Sequence, residues 1–491
     1  MTFGPMWLQV LGLVIVVAIV GGSLLSGGKR PRGGGTRVPW VVLKPRLGVK
    51  GAVRRAQQRL PAAAFTHEDG KDDRRAVWHL ARYGRHEVFA QHEDAVLVIG
   101  PSGSGKSHYF AKRAVLEAIG PTLTTSTKGD VVRASLSACL ARGQVTIYDL
   151  GDVLSASDTR GAEPFRWDPV PACVDPEVAL QRGAAWAAAQ PMKHVGNADW
   201  FSQRAAELLA RLLHAAALDG RTIMDVARWA QNISDREPGH ILERSGPAGW
   251  SDWVRSLQAN SADQTMGSLQ MTLTGILGAL ASPKVAQTLT PRRGEGFDPR
   301  AFLDAPNSLH LVADQRLGSI VAPVFTMIVD EILTVAGNRS QVQDRGFLWP
   351  PLRCVLDELP NLAPIPRFDG HMSDSGSRGI QLIPIVQSRA QMRDRFGTDS
   401  ANAIWGTAAM RLLLPGVREA DLLQEVSQLA GRHEVARSTT TVSGQGRSRS
   451  HSMQWEDRLR PEQISEIPLG TAWMLYRELP PVRVTLLPPP Q

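Results

Sequence analysis

The stretch Asp94-Ala-Val-Leu-Val-Ile-Gly100-Pro-Ser-Gly-Ser-Gly-Lys106-Ser107 decides how this chain is read. A short apolar run, Ala95 to Ile99, has the pattern of a buried strand. It passes directly into G-x-x-x-x-G-K-S. His108 to Ile119 then shows helical spacing of Phe110, Ala114, Val115 and Ala118. Strand, glycine-rich loop and helix in that order are the context a phosphate-binding loop needs. The expected cradle is Gly100, Pro101, Ser102, Gly103, Ser104, Gly105, Lys106 and Ser107. Its glycines free the backbone to wrap phosphate oxygens at a helix N-terminus, where the dipole favours an anion. Lys106 reaches the β/γ-phosphates of ATP, and the Ser107 hydroxyl ligates Mg²⁺.

Downstream, Leu352-Arg-Cys-Val-Leu-Asp357-Glu358 reads as an apolar strand ending in two carboxylates. Ligands of parallel sheets gather at the carboxyl ends of the strands. Asp357 is therefore expected to hold Mg²⁺ with Ser107, and Glu358 to polarise the attacking water as general base. A third apolar run, Gly379 to Val386, ends at Gln387-Ser388. The Gln387 amide there suits orienting water or sensing the γ-phosphate.

Further strands are expected at 144–149 and 308–313, with helices between. The fold class expected is α/β, with a mostly parallel sheet. The region 181–290 is strand-poor. Phe201, Ala205, Leu208, Leu209, Leu212, Leu213 and Ala216 share one helical face, and Met271 to Leu280 is a similar segment. Five of the thirteen tryptophans fall in this region (186, 200, 229, 250 and 253), and packing is their expected role. An inserted all-α domain follows. Arg418 to Ala430 reads as an amphipathic helix with Leu422, Leu423, Val426 and Leu429 inward, stopped by Gly431. The Ser/Gly/Arg-rich stretch 437–453 reads as a loop.

Charge does not identify a nucleic-acid binder. The 491 residues carry +8, but residues 1–60 hold ten basic groups and no acid, the first being Glu68. Residues 61–491 hold 45 basic and 47 acidic groups, a net of −2. The basic stretch follows Trp7–Leu25, nineteen uncharged and mostly apolar residues. At about 1.5 Å per residue these cross a ~30 Å hydrocarbon core. The positive-inside rule then puts residues 29 onward in the cytoplasm, and anionic lipid is the expected partner of the ten cations. Gly21-Gly22-Ser23 would suit signal cleavage, but residues 1–6 lack the basic start of a signal peptide. Three scattered cysteines exclude a disulfide framework or a Cys-x-x-Cys zinc site. The expected organisation is a single-pass membrane anchor (1–28), a basic juxtamembrane linker (29–60), a nucleotide-binding domain (61–180 and 291–482), the all-α insertion (181–290) and a tail (483–491).

Several short motifs of different chemistry resemble the TraG/TraD family of type IV coupling proteins. Val355-Leu-Asp-Glu-Leu-Pro-Asn-Leu-Ala-Pro-Ile-Pro-Arg-Phe368 is similar to that family's acidic strand and following turn. Gly376-Ser-Arg-Gly-Ile380, Gln387-Ser388 with Gln391, Ala401-Asn402, Trp405-Gly-Thr, Lys128-Gly129-Asp130 and Ile467-Pro-Leu-Gly470 continue the likeness in order. The resemblance implies a RecA-like P-loop NTPase in the bacterial cytoplasmic membrane, its motor domain in the cytoplasm. It implies a homo-hexameric ring that couples single-stranded DNA with its relaxase to type IV secretion channel components and drives the DNA by ATP hydrolysis. An Arg of the neighbouring subunit would complete each site, with Arg378 and Arg411 as candidates. Two other readings are an FtsK-like double-stranded DNA translocase and a substrate-docking receptor in which ATP binding is structural.

Overall fold

Leu97 and Ile99 pack into one hydrophobic layer, and their neighbours Val96 and Val98 into another. A strand buried on both faces has no polar alternation, and this is why the decisive stretch is an unbroken apolar run. The computed structural model describes residues 38–65, 73–189, 198–260, 263–292, 294–443 and 446–490. The expected membrane anchor and residues 29–37 of the basic stretch lie outside these.

Twelve strands form one sheet: β1 (Val77–Tyr83), β2 (His86–Gln91), β3 (Val96–Ile99), β4 (Thr122–Ser126), β5 (Val145–Asp149), β6 (Glu163–Pro164), β7 (Ser308–Val312), β8 (Leu352–Asp357), β9 (Ile380–Val386), β10 (Met410–Leu413), β13 (Thr471–Tyr476) and β14 (Val482–Leu486). Their order is β2-β1-β14-β13-β10-β3-β9-β8-β4-β7-β5-β6. From β10 to β6 every pairing is parallel; β13, β14, β1 and β2 extend the sheet in antiparallel fashion. β3 lies between β10 and β9, and β8 is the next strand beyond β9. The three expected site strands are therefore consecutive, with their carboxyl ends on one edge.

Several expectations need correction. Residues 40–59 of the expected linker form two helices, Trp40–Leu47 and Val49–Arg59. Leu43 and Leu47 on the first helix, and Ala52, Ala56 and Leu60 along and just past the second, are four residues apart within each set and buried; they seat both helices on the fold and leave Lys44, Arg46, Lys50, Arg54 and Arg59 exposed. The expected tail begins too early, because Val482–Leu486 is a strand between β13 and β1. The expected insertion boundary at 181 falls inside helix Pro176–Ala188; the helical run starts at Pro171 and extends to Leu289. The stretch 437–453 lies within a long hairpin, β11 (Arg432–Ser443) with β12 (Gly446–Asp457), in unbroken antiparallel register. The β-branched run Thr439-Thr440-Thr441-Val442 favours an extended first strand although no alternating apolar pattern marks the ribbon. Leu422, Leu423 and Val426 are buried on helix Ala420–Ala430 as expected, but Leu429 is 53% exposed.

In the insertion, six of the seven residues expected on one face of helix Ala198–Leu218 are buried, Phe201 being half-buried. Trp186 and Trp229 are core residues, while Trp200 is exposed. Insertion and sheet share one hydrophobic core, joined through helix Gly318–Gln341. Its segment Ile320–Gln341 is, among the described residues, the one helix long and apolar enough to cross a bilayer, and it is mostly buried inside the molecule.

Candidate functional site

The loop after β3 turns through Gly103 and Gly105, at φ 81° and 88°. These are left-handed conformations that glycine adopts without strain. At Gly100 the constraint is space: a Cβ would stand 2.5 Å from Ser104 Oγ and 2.8 Å from Leu414 Cβ. The helix that follows opens with a wide π-type turn over Lys106–Ala111 and continues as α-helix to Leu116. Lys106 is buried and its Nζ donates to the loop's own carbonyls, Gly100 O at 2.7 Å and Pro101 O at 3.2 Å. Burial lowers its pKa, opposed by Glu358 and Asp357. Lys112 Nζ reaches Asp130 Oδ2 at 3.2 Å, which ties this helix to the Lys128-Gly129-Asp130 motif.

The structure brings Ser107, Asp357, Glu358 and Gln387 together. Ser107 Oγ donates to Asp357 Oδ2 at 3.4 Å. Asp357 also accepts from the Glu358 N–H at 3.1 Å, and its carbonyl accepts from Thr125 Oγ1 at 2.8 Å. Burial, reinforced by the Glu358 charge, pushes the Asp357 carboxyl up to about 6. A hydroxyl and a buried carboxylate short of positive charge suit a hard divalent cation; Ser107 and Asp357 are the residues that could hold it.

Glu358 leaves the strand in a left-handed conformation, φ 53° and ψ 35°. For a non-glycine residue this costs about 1–2 kcal/mol, and such strain gathers at functional sites. Both carboxylate oxygens are engaged. Gln387 Nε2 donates to Oε1 at 2.8 Å, and Asn361 Nδ2 donates to Oε2 at 3.1 Å. Gln387 is itself placed by Gln391, whose Oε1 accepts the Gln387 N–H at 3.2 Å. Asn361 and Thr125 were missing from the expected site. An Asn three residues past a strand-end Glu is a faint signal for the first; nothing marks the second before β4 is placed beside β8.

Neither candidate arginine joins this cluster. Arg378 precedes β9, at the opposite end of the strand from Gln387, and pairs with Asp374 at 2.7 Å. Arg411 lies within β10, half-buried, its guanidinium 5.2 Å from the Trp405 ring centre.

A phosphate loop, a carboxylate strand end and a polar strand end on neighbouring parallel strands define an α/β protein of the P-loop nucleotide-binding class. Residues 351–469 match the family model described as the TraM recognition site of TraD and TraG. The chain is 24% identical over 281 residues to the conjugal transfer protein TraG of Agrobacterium fabrum (strain C58 / ATCC 33970), covering 55% of this chain and 40% of that protein. It thus spans less than half the length of this curated relative. Among solved structures, the bacterial conjugative coupling protein TrwBdeltaN70 in complex with sulphate superposes with a TM-score of 0.62 at 17% identity, covering 94% of this chain and 96% of that one. The plasmid coupling protein TrwB in complex with ADP and Mg²⁺ gives 0.59 at 16% identity, over 91% and 93%. The chain is thus similar in sequence and in fold to TraG/TraD-type coupling proteins.

Proposed function

We propose that this protein is the ATP-hydrolysing coupling protein of a conjugative type IV secretion system. It is anchored in the cytoplasmic membrane through residues 7–25, and its nucleotide domain faces the cytoplasm. The observation that carries the reading is the Ser107–Asp357 contact beside a Glu358 carboxylate held at both oxygens. That is the arrangement phosphoryl transfer to water requires.

In this reading the loop 100–107 binds the phosphates of ATP through its backbone N–H groups. Lys106 exchanges its carbonyl partners for phosphate oxygens. Ser107 and Asp357 hold Mg²⁺, which supplies charge neutralisation at the β/γ-phosphates when bound. Glu358 polarises the attacking water and takes its proton, while Gln387 and Asn361 keep the carboxylate aimed. Gln387, at the end of its own strand, transmits the presence of the γ-phosphate to β9. Subunits assemble as a homo-hexamer, and an arginine from the neighbour, Arg378 or Arg411 among the candidates, stabilises the developing charge. The ring draws single-stranded DNA, delivered with its relaxase, toward the channel components. The DNA is gripped through its phosphates without sequence preference.

The reading is tested by transfer frequency in a strain carrying the element with Lys106→Ala. Loss of transfer with protein levels unchanged is expected; unchanged transfer would overturn the motor assignment. Transfer lost in Lys106→Ala but retained in a Glu358→Gln protein that still binds ATP would select the docking-receptor reading.

A further inference from the structure

A groove on the described surface lies away from the nucleotide loop. It encloses about 1210 Å³ between helices Trp40–Leu47 and Val49–Arg59 and the turn joining β1 to β2. Two segments distant in sequence converge on it with one sign of charge. Lys44, Lys50 and Arg54 come from the helices, and Arg82 and Arg85 from the β1–β2 hairpin. All five are exposed, and among the described residues none of the five is in an ion pair. Glu87 is the single acid in the lining. Unpaired cations held together in a concavity repel one another, and a bound polyanion relieves that repulsion.

Three features select the anion. First, Trp40 in the lining has one face covered by His86, stacked parallel with ring centres 4.5 Å apart, and Tyr83 stacks at 6.4 Å. An indole so placed suits the lipid headgroup layer, where Trp is enriched. Its neighbour Val41 is 62% exposed. Second, Val38 lies thirteen residues past Leu25, the end of the apolar stretch. At ~3.5 Å per residue that tether spans no more than ~45 Å. Third, β2 forms one edge of the sheet, with four strands between it and β3. At ~4.8 Å per strand the groove stands more than ~20 Å from the strand that leads into the phosphate loop.

We propose that this groove binds the phosphate headgroups of anionic phospholipids and holds the β2 edge of the sheet against the cytoplasmic membrane surface. The proposal rests on residues 7–25 being a membrane segment, which adds a second attachment to the same surface.

The test is hydrogen exchange on the full chain in nanodiscs of phosphatidylcholine alone, and in nanodiscs that also contain phosphatidylglycerol. Amides of residues 44–55 and 82–87 should exchange severalfold more slowly in the anionic discs, and the difference should fade at high salt. Arg82→Glu with Arg85→Glu, both exposed and outside the nucleotide site, should abolish the difference and leave ATP hydrolysis unchanged. Equal exchange of the wild-type chain in both discs would overturn the proposal, as would protection by a single-stranded oligonucleotide in phosphatidylcholine discs that equals or exceeds that from phosphatidylglycerol. Equal protection by millimolar inorganic phosphate would also overturn it, marking a free-phosphate site. Failure of the chain to remain with the discs would instead refute the membrane segment.

Discussion

Glu358 carries the most information of any single residue. Its left-handed backbone turns the chain sharply after β8, and its carboxylate is clamped by the Gln387 and Asn361 amides. If the clamp aims the general base, Asn361→Ala should lower kcat for ATP about ten- to a hundredfold through misplacement. Nucleotide affinity should stay within about twofold, because the Asn361 side chain bonds to Glu358, which lies past the end of β8 rather than in the phosphate loop. Asn361→Asp should be worse still, since it sets a like charge against Glu358. Steady-state kinetics with separate nucleotide-binding titrations check all three; parallel losses in affinity and kcat would indicate a structural role. Lys106, Ser107, Asp357, Glu358 and Gln387 were legible in the sequence because each follows an apolar run or a glycine pattern. Asn361 and Thr125 act through tertiary contacts that no local pattern records.

Among the elements, the apolar runs of β3, β5, β7, β8 and β9 were legible; β10, β13 and β14, also apolar, were not, nor was the hydroxyl-rich β4. β4 reads Thr-Leu-Thr-Thr-Ser, yet it sits between β8 and β7 with every residue buried. Its hydroxyls are satisfied laterally: Thr124 Oγ1 pairs with His310 Nδ1 at 2.8 Å, and Thr125 Oγ1 donates to the Asp357 carbonyl. The insertion meets the core helix Gly318–Gln341 at another buried polar site. Asp330 on that helix accepts from Gln181 Nε2 at 2.8 Å and stands 3.8 Å from His371 Nε2. Burial pushes its carboxyl up to about 6; Glu331 adds to the rise, while the Gln181 hydrogen bond and Arg367 oppose it. His371 is held below its ordinary value, chiefly by burial and then by Arg367, so it offers little compensating charge at neutral pH. The folded state therefore binds the Asp330 proton more tightly than the unfolded chain. Its contribution is favourable at low pH and is lost as pH rises from about 4 to about 6. Asp330→Asn should raise the thermal midpoint at pH 7.5, and the gain should shrink toward pH 4.5. Thermal unfolding at the two values checks this; an equal gain at both would show that charge burial is not the cause. The β11–β12 ribbon makes the opposite prediction. Among the described residues it pairs with no third strand, and an isolated hairpin contributes little stability. Replacing residues 435–455 by a short Gly-Ser turn should leave the thermal midpoint of the rest unchanged, and a large drop would show that the ribbon is part of the core.

For the whole molecule, the mostly parallel sheet and the all-α insertion were legible, because helical and strand periodicities separate cleanly along the chain. The order of the strands was not. β10 is the neighbour of β3 although more than three hundred residues lie between them, and only the completed sheet sets β3 between β9 and β10. Nor was it legible that residues 40–59 belong to the folded unit, since six basic residues with no acid draw the reading to charge, while the buried stripe within them is only Leu43, Leu47, Ala52 and Ala56. The central claim is that this architecture hydrolyses ATP to move single-stranded DNA. The most direct measurement is the steady-state ATPase rate of the purified full chain, with single-stranded DNA, with duplex DNA and with neither, for the wild type and Glu358→Gln. The account predicts stimulation dominated by single strands in the wild type. It predicts a fall of about 10²–10⁴-fold in Glu358→Gln with nucleotide binding retained. Dominant stimulation by duplex, or hydrolysis that survives Glu358→Gln, would contradict it.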